Sequence, residues 1–530
     1  MERAGAINLG GDSAGLGIDF DGLTVEAVQQ GFRAGRFTAE QLARACFQRI
    51  ERYNPTYNAL IFLNPAALDD ARKIDERRTR GEALGPLAGV PVVIKDPMDM
   101  VGFPTTAGWS KLYSKTGGVD LMPQRDAPVV ARMRAAGAIM LGKTNVPVLS
   151  HTGTHANDSW AGPTINVAMP TRMPGGSSAG TASAVAAGMA VLGLAEETGG
   201  SIQNPASAQD LVGIKPTIGL VPNAGVVPLS GNRDVVGPIA RNVTDAALCL
   251  DVLAGYSSED PKTLAGVGRQ PEGGYAAGLR REALQGKRIG LYGPGWRAQP
   301  LSDEASALYE RVKGELTALG VTLIDDPFAG SGFAALRKPT PPLVNFDARG
   351  LESIPYDLEC YLARLGPASP LKTFAEFAKA TEDENPFGPN GVLRYMPNLP
   401  QFNAALANPS LPPDISEFIE LKARYLRIFE RVFCEHRLDA LVFPQMRGEL
   451  PSLRGTDTIQ ETTVGEINIA GLPGIAVPAG YYASGAPFGL IFVGRQWDEA
   501  ALLGYAYAYE QSGTHRHAPA LADTREGAAS

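Results

Sequence analysis

Cysteine and histidine are scarce in this chain of 530 residues, with four and five respectively. Cys46, Cys249, Cys360 and Cys434 are scattered, without a Cys-x-x-Cys pair or a staple pattern. That spacing excludes a zinc ribbon and a disulfide framework, and it suggests a reducing compartment. Basic charge is also lacking: the formal net charge is −8. No Lys/Arg run is long enough for a nucleic-acid stripe. The nearest one, "ERRTRG" at 76–81, reads as a solvated helix end. No segment reaches the ~18 uninterrupted apolar residues of a membrane span, and the opening "MERAGAINLGGDSAG" carries no apolar signal region. The expectation is a soluble, cytoplasmic monomer or homodimer that binds a small molecule and neither nucleic acid nor membrane.

Glycine and proline, by contrast, are abundant at 61 and 41 residues, about a fifth of the chain where ~12% is usual. Many turns are therefore expected, with backbone held close to something. Helix and strand patterns alternate between them. Thr38 and Gln41 form a capping-box pattern at the start of "AEQLARACFQRIERY". In "NPAALDDARKIDERRTRG", Asn64 is the expected N-cap, Pro65 the first helical residue and Gly81 the stop. Residues 1–80 thus read as a helical arm. Beyond it the predicted strands are "GVPVVIK", "AIMLGK", "KRIGLYG", "VTLID", "DALVFP", "GIAVPAG" and "FGLIFVG". Helical patterns such as "DAPVVARMRAAG", "NVTDAALCLDVLAG", "DISEFIELKARYLRIFERVF" and "DEAALLGYAYAYEQ" separate them. The implied class is α/β, a sheet covered by helices on both faces. No repeat and no long Gly/Ser linker divides residues 81–530, which read as one domain.

Three motifs suggest chemistry that their surroundings do not support. "GAIMLGKT" at 137–144 fits a phosphate-binding loop, but its four intervening residues are an apolar strand, and Pro147 stands where the helix would run. "GSSAG" at 176–180 fits a nucleophile elbow on Ser178, yet a strand must lead into that turn, and "NVAMPTRMPG" is no strand. His151 and His155 have the spacing of helical zinc ligands, but a glycine separates them, no Glu accompanies them and no third ligand is near.

The stretch "MPGGSSAGTASAVAAGMAVLGLAEETGGSIQNPASAQDLVGIKPT" (173–217) is more informative. Its small residues suit a helix packed tightly on a sheet, which leaves two Gly-Gly-Ser turns unexplained. Gly199 and Gly200 let backbone N–H groups converge on one point, as an oxyanion hole requires, with Ser201 beside them as a candidate nucleophile. A serine needs a base. With histidine scarce the candidate is a neutral lysine: Lys95 ends the apolar run "GVPVVIK", where loss of water would disfavour its charge, although a lysine at the end of a strand is more often exposed than buried.

"GVPVVIKDPMDMVGFPTTAG", "GAIMLGKTNVP", "PGGSSAGTASAVAAGMAVLGLAEETGGSIQNPAS" and "LVGIKPTIGLVP" follow one another in an order and at a spacing that resemble the amidase signature family. The resemblance runs from about residue 20 to 512 and is weakest between about 260 and 430. It implies one large mixed β-sheet and a Ser-cisSer-Lys triad. Ser201 would be the nucleophile, Ser177 the bridging serine after a cis peptide with Gly176, and Lys95 the ultimate base. The N–H groups of Thr198, Gly199, Gly200 and Ser201 would hold the oxyanion, and no metal or cofactor would be needed.

The chain departs from the family's pattern beside the nucleophile. Ala195-Glu196-Glu197 stands where Gly-Thr-Asp is usual, and Gln203-Asn204 follows Ser-Ile where Arg is usual. Substrate choice is expected from the divergent region. There "PFAGSGFAALRKPTPPLVNFDARG" (327–350) and "ENPFGPNGVLRYMPNLPQF" (384–402) read either as ordered loops roofing a cleft or as plain surface connections. A roof of this composition favours a small apolar or aromatic amide or carbamate, with esterase side activity. The alternatives are an amidotransferase-type subunit of the same fold and a non-catalytic family member.

Overall fold

The computed structural model describes residues 17–522, so the opening stretch "MERAGAINLGGDSAG" lies outside the described residues. Its frame is a single sheet of eleven strands. In chain order these are β1 (Leu60–Leu63), β2 (Pro91–Lys95), β3 (Ile139–Thr144), β4 (Leu192–Glu197), β5 (Val212–Lys215), β6 (Val235–Ala240), β7 (Arg288–Leu291), β8 (Thr322–Ile324), β9 (Ala440–Pro444), β10 (Gly474–Tyr481) and β11 (Pro487–Val493). Across the sheet the order is β1-β3-β2-β4-β6-β5-β10-β11-β9-β7-β8. The pairs β3–β2, β2–β4, β9–β7 and β7–β8 are parallel, and the rest antiparallel. Every residue of β2, β3, β4, β6, β9 and β11 is buried. Helices therefore cover both faces, and that is why these strands are continuous apolar runs rather than alternating ones.

The seven predicted strands are all present, and four more join them. β1 is only four residues long. β6 contains Gly237 and Pro238, residues that argue against a strand on pattern alone. Gly237 is needed there because a Cβ would lie 1.9 Å from the carbonyl oxygen of Ile214 on the neighbouring strand.

The first helices are α1 (Val25–Arg33), α2 (Ala39–Tyr57) and α3 (Ala67–Thr79). α2 opens with the expected capping box of Thr38 and Gln41. α3 starts later than predicted, after Ala66, without a side-chain cap. Asn64 is occupied elsewhere: its Oδ1 accepts from the Ala66 N–H at 3.1 Å, and its amide donates to the Met140 carbonyl of β3 at 2.8 Å. α4 (Pro128–Ala135), α5 (Ala179–Ala186), α6 (Gln203–Ala208) and α7 (Val243–Leu253) follow. α5 is the expected small-residue helix. A Cβ on Gly193 of β4 would come 2.4 Å from Thr181 of α5, so the glycine lets helix and strand approach closely.

The largest apolar core joins β2, β3, β4, β6 and β10 to the helices of the N-terminal half. A second core lies under the divergent region, where Trp109, Leu351, Leu362, Phe377, Leu393 and Phe402 are buried together. Each such side chain removed from water contributes ~1.5–3 kcal/mol. The 384–402 segment is thereby anchored. A third, aromatic cluster around Trp296, Phe328, Phe333, Phe429 and Phe443 closes the opposite end of the sheet.

Candidate active site

Lys95 is the last residue of β2 and is fully buried. β2 runs parallel to β4 with Ile94 opposite Leu194, so both strands end at the same place. Lys95 Nζ lies 2.7 Å from Ser177 Oγ, 2.9 Å from the Glu196 carbonyl oxygen and 2.7 Å from Glu196 Oε2. Two of the three sequence-predicted side chains are thus in direct contact.

Ser177 sits in the turn before α5, and the Gly176–Ser177 peptide is cis. The glycines before it have no room for side chains. A Cβ on Gly175, at φ +74, would meet Pro205 at 2.5 Å, and one on Gly176 would meet the Thr152 and His155 carbonyls at 2.8 Å. The Gly176 N–H donates to the Gly153 carbonyl at 2.9 Å, and the Ser178 N–H to the Ser201 carbonyl at 3.3 Å. This second bond laces the two serine loops together. Ser178, the elbow candidate, begins α5 from a loop and not from a strand, and its hydroxyl donates to the Glu196 carbonyl at 3.3 Å.

The 198–201 loop is held from two sides. Beneath it the fully buried Glu197 carboxylate accepts the N–H of Ile202 at 2.8 Å, the N–H of Gln203 at 3.1 Å, the Asn468 amide at 2.8 Å and the Gln203 side-chain amide. Beside it Arg233 donates to the Thr198 carbonyl at 3.2 Å and to the carbonyls of Asp347 and Arg349 at 2.7 and 3.1 Å. Gly200 adopts φ +96, the left-handed region that favours glycine. A Cβ on Gly199 would come 2.5 Å from the Phe346 ring. Among the described residues, no protein acceptor takes the N–H of Gly199, Gly200 or Ser201.

Thr198, Gly199 and Ser201 line a cleft of about 370 Å³. Its far wall comes from the divergent region: Leu343, Val344 and Phe346 from one segment, and Val392 and Tyr395 from the other. Both segments therefore line the cleft and are not plain surface connections. His151 and His155 also face this cleft, with ring centroids 6.4 Å apart. Burial, and then the neighbouring His151, push the His155 imidazole below its ordinary value, so it is neutral near pH 7. Glu461, a buried residue that also lines the cleft, is pushed up, chiefly by burial.

The phosphate-loop lookalike is a buried strand. Lys143 of β3 donates to the Pro104 carbonyl at 2.9 Å and lies 3.3 Å from Asp96. Three groups at the site were not legible in the sequence. These are Arg233, Asp234 and the contact of Glu196 with Lys95; only the unusual identity of Glu196 marked that position. Thr198 Oγ1 lies 2.5 Å from Asp234 Oδ1 and 3.1 Å from Glu196 Oε1. Asp234 Oδ2 accepts the N–H groups of Leu229 and Ser230, each at 2.9 Å. Burial, and then the charge of Glu196, push the Asp234 carboxyl up to about 8.

Comparison with known proteins places this geometry. The sequence profile of the Amidase family matches residues 41–330 and 399–503. The chain is 33% identical over 509 residues to a glutamyl-tRNA(Gln) amidotransferase subunit of Moorella thermoacetica, covering 94% of this chain and 98% of the relative. It superposes on the peptide amidase of Stenotrophomonas maltophilia with a TM-score of 0.77 at 32% identity, covering 95% of this chain and 99% of the other. A bacterial aryl acylamidase shares the fold, with a TM-score of 0.72 at 22% identity, covering 93% and 96%. On these matches the chain belongs to the amidase signature family.

Proposed function

We propose that this protein is a serine amidohydrolase that cleaves the C–N bond of small apolar or aromatic amides or carbamates through an acyl-enzyme on Ser201, with esterase side activity. The observation that carries this reading is the buried 2.7 Å contact of Lys95 with Ser177, in a loop bonded to Ser201 at the wall of a cleft with an apolar far side. In this reading Lys95, as a neutral amine, takes the Ser177 hydroxyl proton while Ser177 takes that of Ser201. The Ser201 oxygen bonds to the acyl carbon, and the carbonyl π pair moves to oxygen, where the N–H groups of Thr198, Gly199, Gly200 and Ser201 receive it. As the C–N bond breaks, the proton returns through Ser177 to the leaving nitrogen. Water then attacks the acyl-enzyme by the same relay. Leu343, Val344, Phe346 and Val392 support an apolar group in the cleft.

The 33% identity to one component of an amidotransferase favours a second reading within the family, a subunit that releases ammonia from an amide donor. That reading requires partner subunits and a tRNA surface, to which a chain of net charge −8 is poorly suited. The purified chain alone, given 4-nitroacetanilide, an aryl carbamate and glutamine, separates the two. The expected result is release of the aryl amine and of the carbamate's leaving group by wild type and not by Ser201→Ala, with glutamine untouched. Glutamine turnover without aryl turnover would favour the amidotransferase reading, and no turnover of any of them would favour a non-catalytic role.

A further inference from the structure

The three neighbours of Lys95 Nζ determine how its hydrogens are arranged. The Glu196 carbonyl oxygen can only accept, and so can the Glu196 carboxylate when ionised. A neutral amine has two hydrogens and one lone pair. If both hydrogens go to Glu196, the lone pair is left facing Ser177 Oγ at 2.7 Å, which is the orientation a base needs. In that arrangement one residue holds both hydrogens, one through its main chain and one through its side chain. The side chain is itself held, because the Thr198 hydroxyl stands between Glu196 Oε1 and Asp234 Oδ1. A hydroxyl has one hydrogen to give, so two ionised carboxylates cannot both be satisfied by it. A proton on Asp234 completes the chain, consistent with its upward shift: Asp234 donates to Thr198, Thr198 to Glu196, and Glu196 accepts from Lys95.

We propose that Glu196 is a positioning residue for Lys95: it takes both hydrogens of the neutral amine, aims the lone pair at Ser177, and faces the ammonium formed when the proton is transferred. The inference rests on the reading of Lys95 as base and Ser201 as nucleophile. The charged and titratable groups around Glu196 are Lys95 from β2 and Asp234 from the turn before β6. Arg233 is turned to the Thr198 carbonyl, and Glu197 is engaged by Gln203 and Asn468. No other residue supplies Lys95 with a side-chain carboxylate among the described residues. A carboxylate beside an amine favours the protonated amine, so removing its charge is a change that a pH profile reads.

The test is the pH dependence of 4-nitrophenyl acetate hydrolysis by wild type, Glu196→Gln and Glu196→Ala, with fluorophosphonate labelling of Ser201 in parallel. Glutamine keeps an acceptor but not the charge. Its kcat should fall about tenfold, and the acidic limb of the profile should move to lower pH. Alanine loses the orientation too, and its kcat should fall about 100-fold at every pH. KM should stay within about twofold of wild type in both. If neither variant folds, Thr198→Val removes only the bridging hydroxyl and should lower kcat about fivefold with a shifted acidic limb. Variants that keep wild-type kcat and an unmoved limb, or that raise KM alone, would overturn the positioning role while leaving the hydrolase intact. A wild type inert to both the ester and the probe would overturn the hydrolase reading, and this inference with it.

Discussion

Replacing Glu197 with glutamine should damage stability and turnover together, because this carboxylate supports the loop proposed to hold the oxyanion. It is fully buried and accepts four hydrogen bonds: from Ile202 N–H, Gln203 N–H, the Asn468 amide and the Gln203 amide. A glutamine side chain offers one oxygen in place of two, and its NH₂ would face donors. Two of the four bonds are therefore lost. Hydrogen bonds to a charged acceptor contribute ~1.5–3 kcal/mol each, so the gross loss is ~3–6 kcal/mol. Relief of the desolvation of a buried charge offsets part of it, leaving a net destabilisation of about 3 kcal/mol. Ile202 and Gln203 directly follow Ser201, so the loop carrying the Gly199, Gly200 and Ser201 N–H groups is displaced as well. Misplacing one such donor costs ~10²–10³ in kcat. Urea denaturation and steady-state turnover of 4-nitrophenyl acetate read the two effects separately. A variant within ~0.5 kcal/mol of wild type, the usual range for a neutral surface change, would refute the support role. A kcat within twofold of wild type would refute the coupling to catalysis.

Other perturbations follow from the same geometry. Gly199→Ala puts a methyl group 2.5 Å from the Phe346 ring, so kcat for 4-nitroacetanilide should drop at least about tenfold. Adding Phe346→Ala should recover part of that loss, and a double variant no better than the single one would show that the clash lies elsewhere. Phe346→Ala alone removes an apolar cleft wall and the ring over which Arg233 lies at 5.2 Å. KM for the anilide should rise by roughly three- to tenfold, more than for acetamide, which a direct comparison of the two substrates checks. Stability should fall as pH rises from about 4 to about 8. Burial pushes Asp234 up to about 8 and Glu510 up to about 7 from ordinary values of 3.8 and 4.5. Between the unfolded and folded values the native state keeps protons that the unfolded chain has already lost, so the associated stability is fully present below the unfolded values and gone once pH exceeds the folded ones. Thermal melting across this range should show the decline, and Asp234→Asn should flatten it above pH 7; a melting temperature that rises with pH would contradict the assignment.

The long strands and the nucleophile region were legible because their signals are local. "GVPVVIK" and "AIMLGK" are strands buried on both faces, and their short length and preceding glycines mark so apolar a run as a strand. The Gly-Gly-Ser turns were legible because Gly175 and Gly200 have positive φ and Gly199 admits no side chain. β6 was hidden by Gly237 and Pro238, residues that its close packing requires but that pattern counts against a strand. The start of α3 was misplaced because Asn64 Oδ1 bonds the Ala66 N–H in a turn that precedes the helix, while its amide reaches Met140. Arg233 and Asp234 lie more than thirty residues after Ser201 and reach the site only through the pairing of β4 with β6. The cleft wall at 342–346 and 392–395 falls in the stretch that the family profile skips, where apolar composition alone pointed to a roof.

Hydrolysis by the proposed route depends on Ser201 as the nucleophile. Labelling with a fluorophosphonate serine probe, followed by peptide mass spectrometry on wild type, Ser201→Ala and Lys95→Ala, reports on that role. One labelled peptide carrying the adduct on Ser201 is expected, with no label in Ser201→Ala and labelling slowed at least about 100-fold in Lys95→Ala. A label on Ser178, or one that persists in Ser201→Ala, would contradict it.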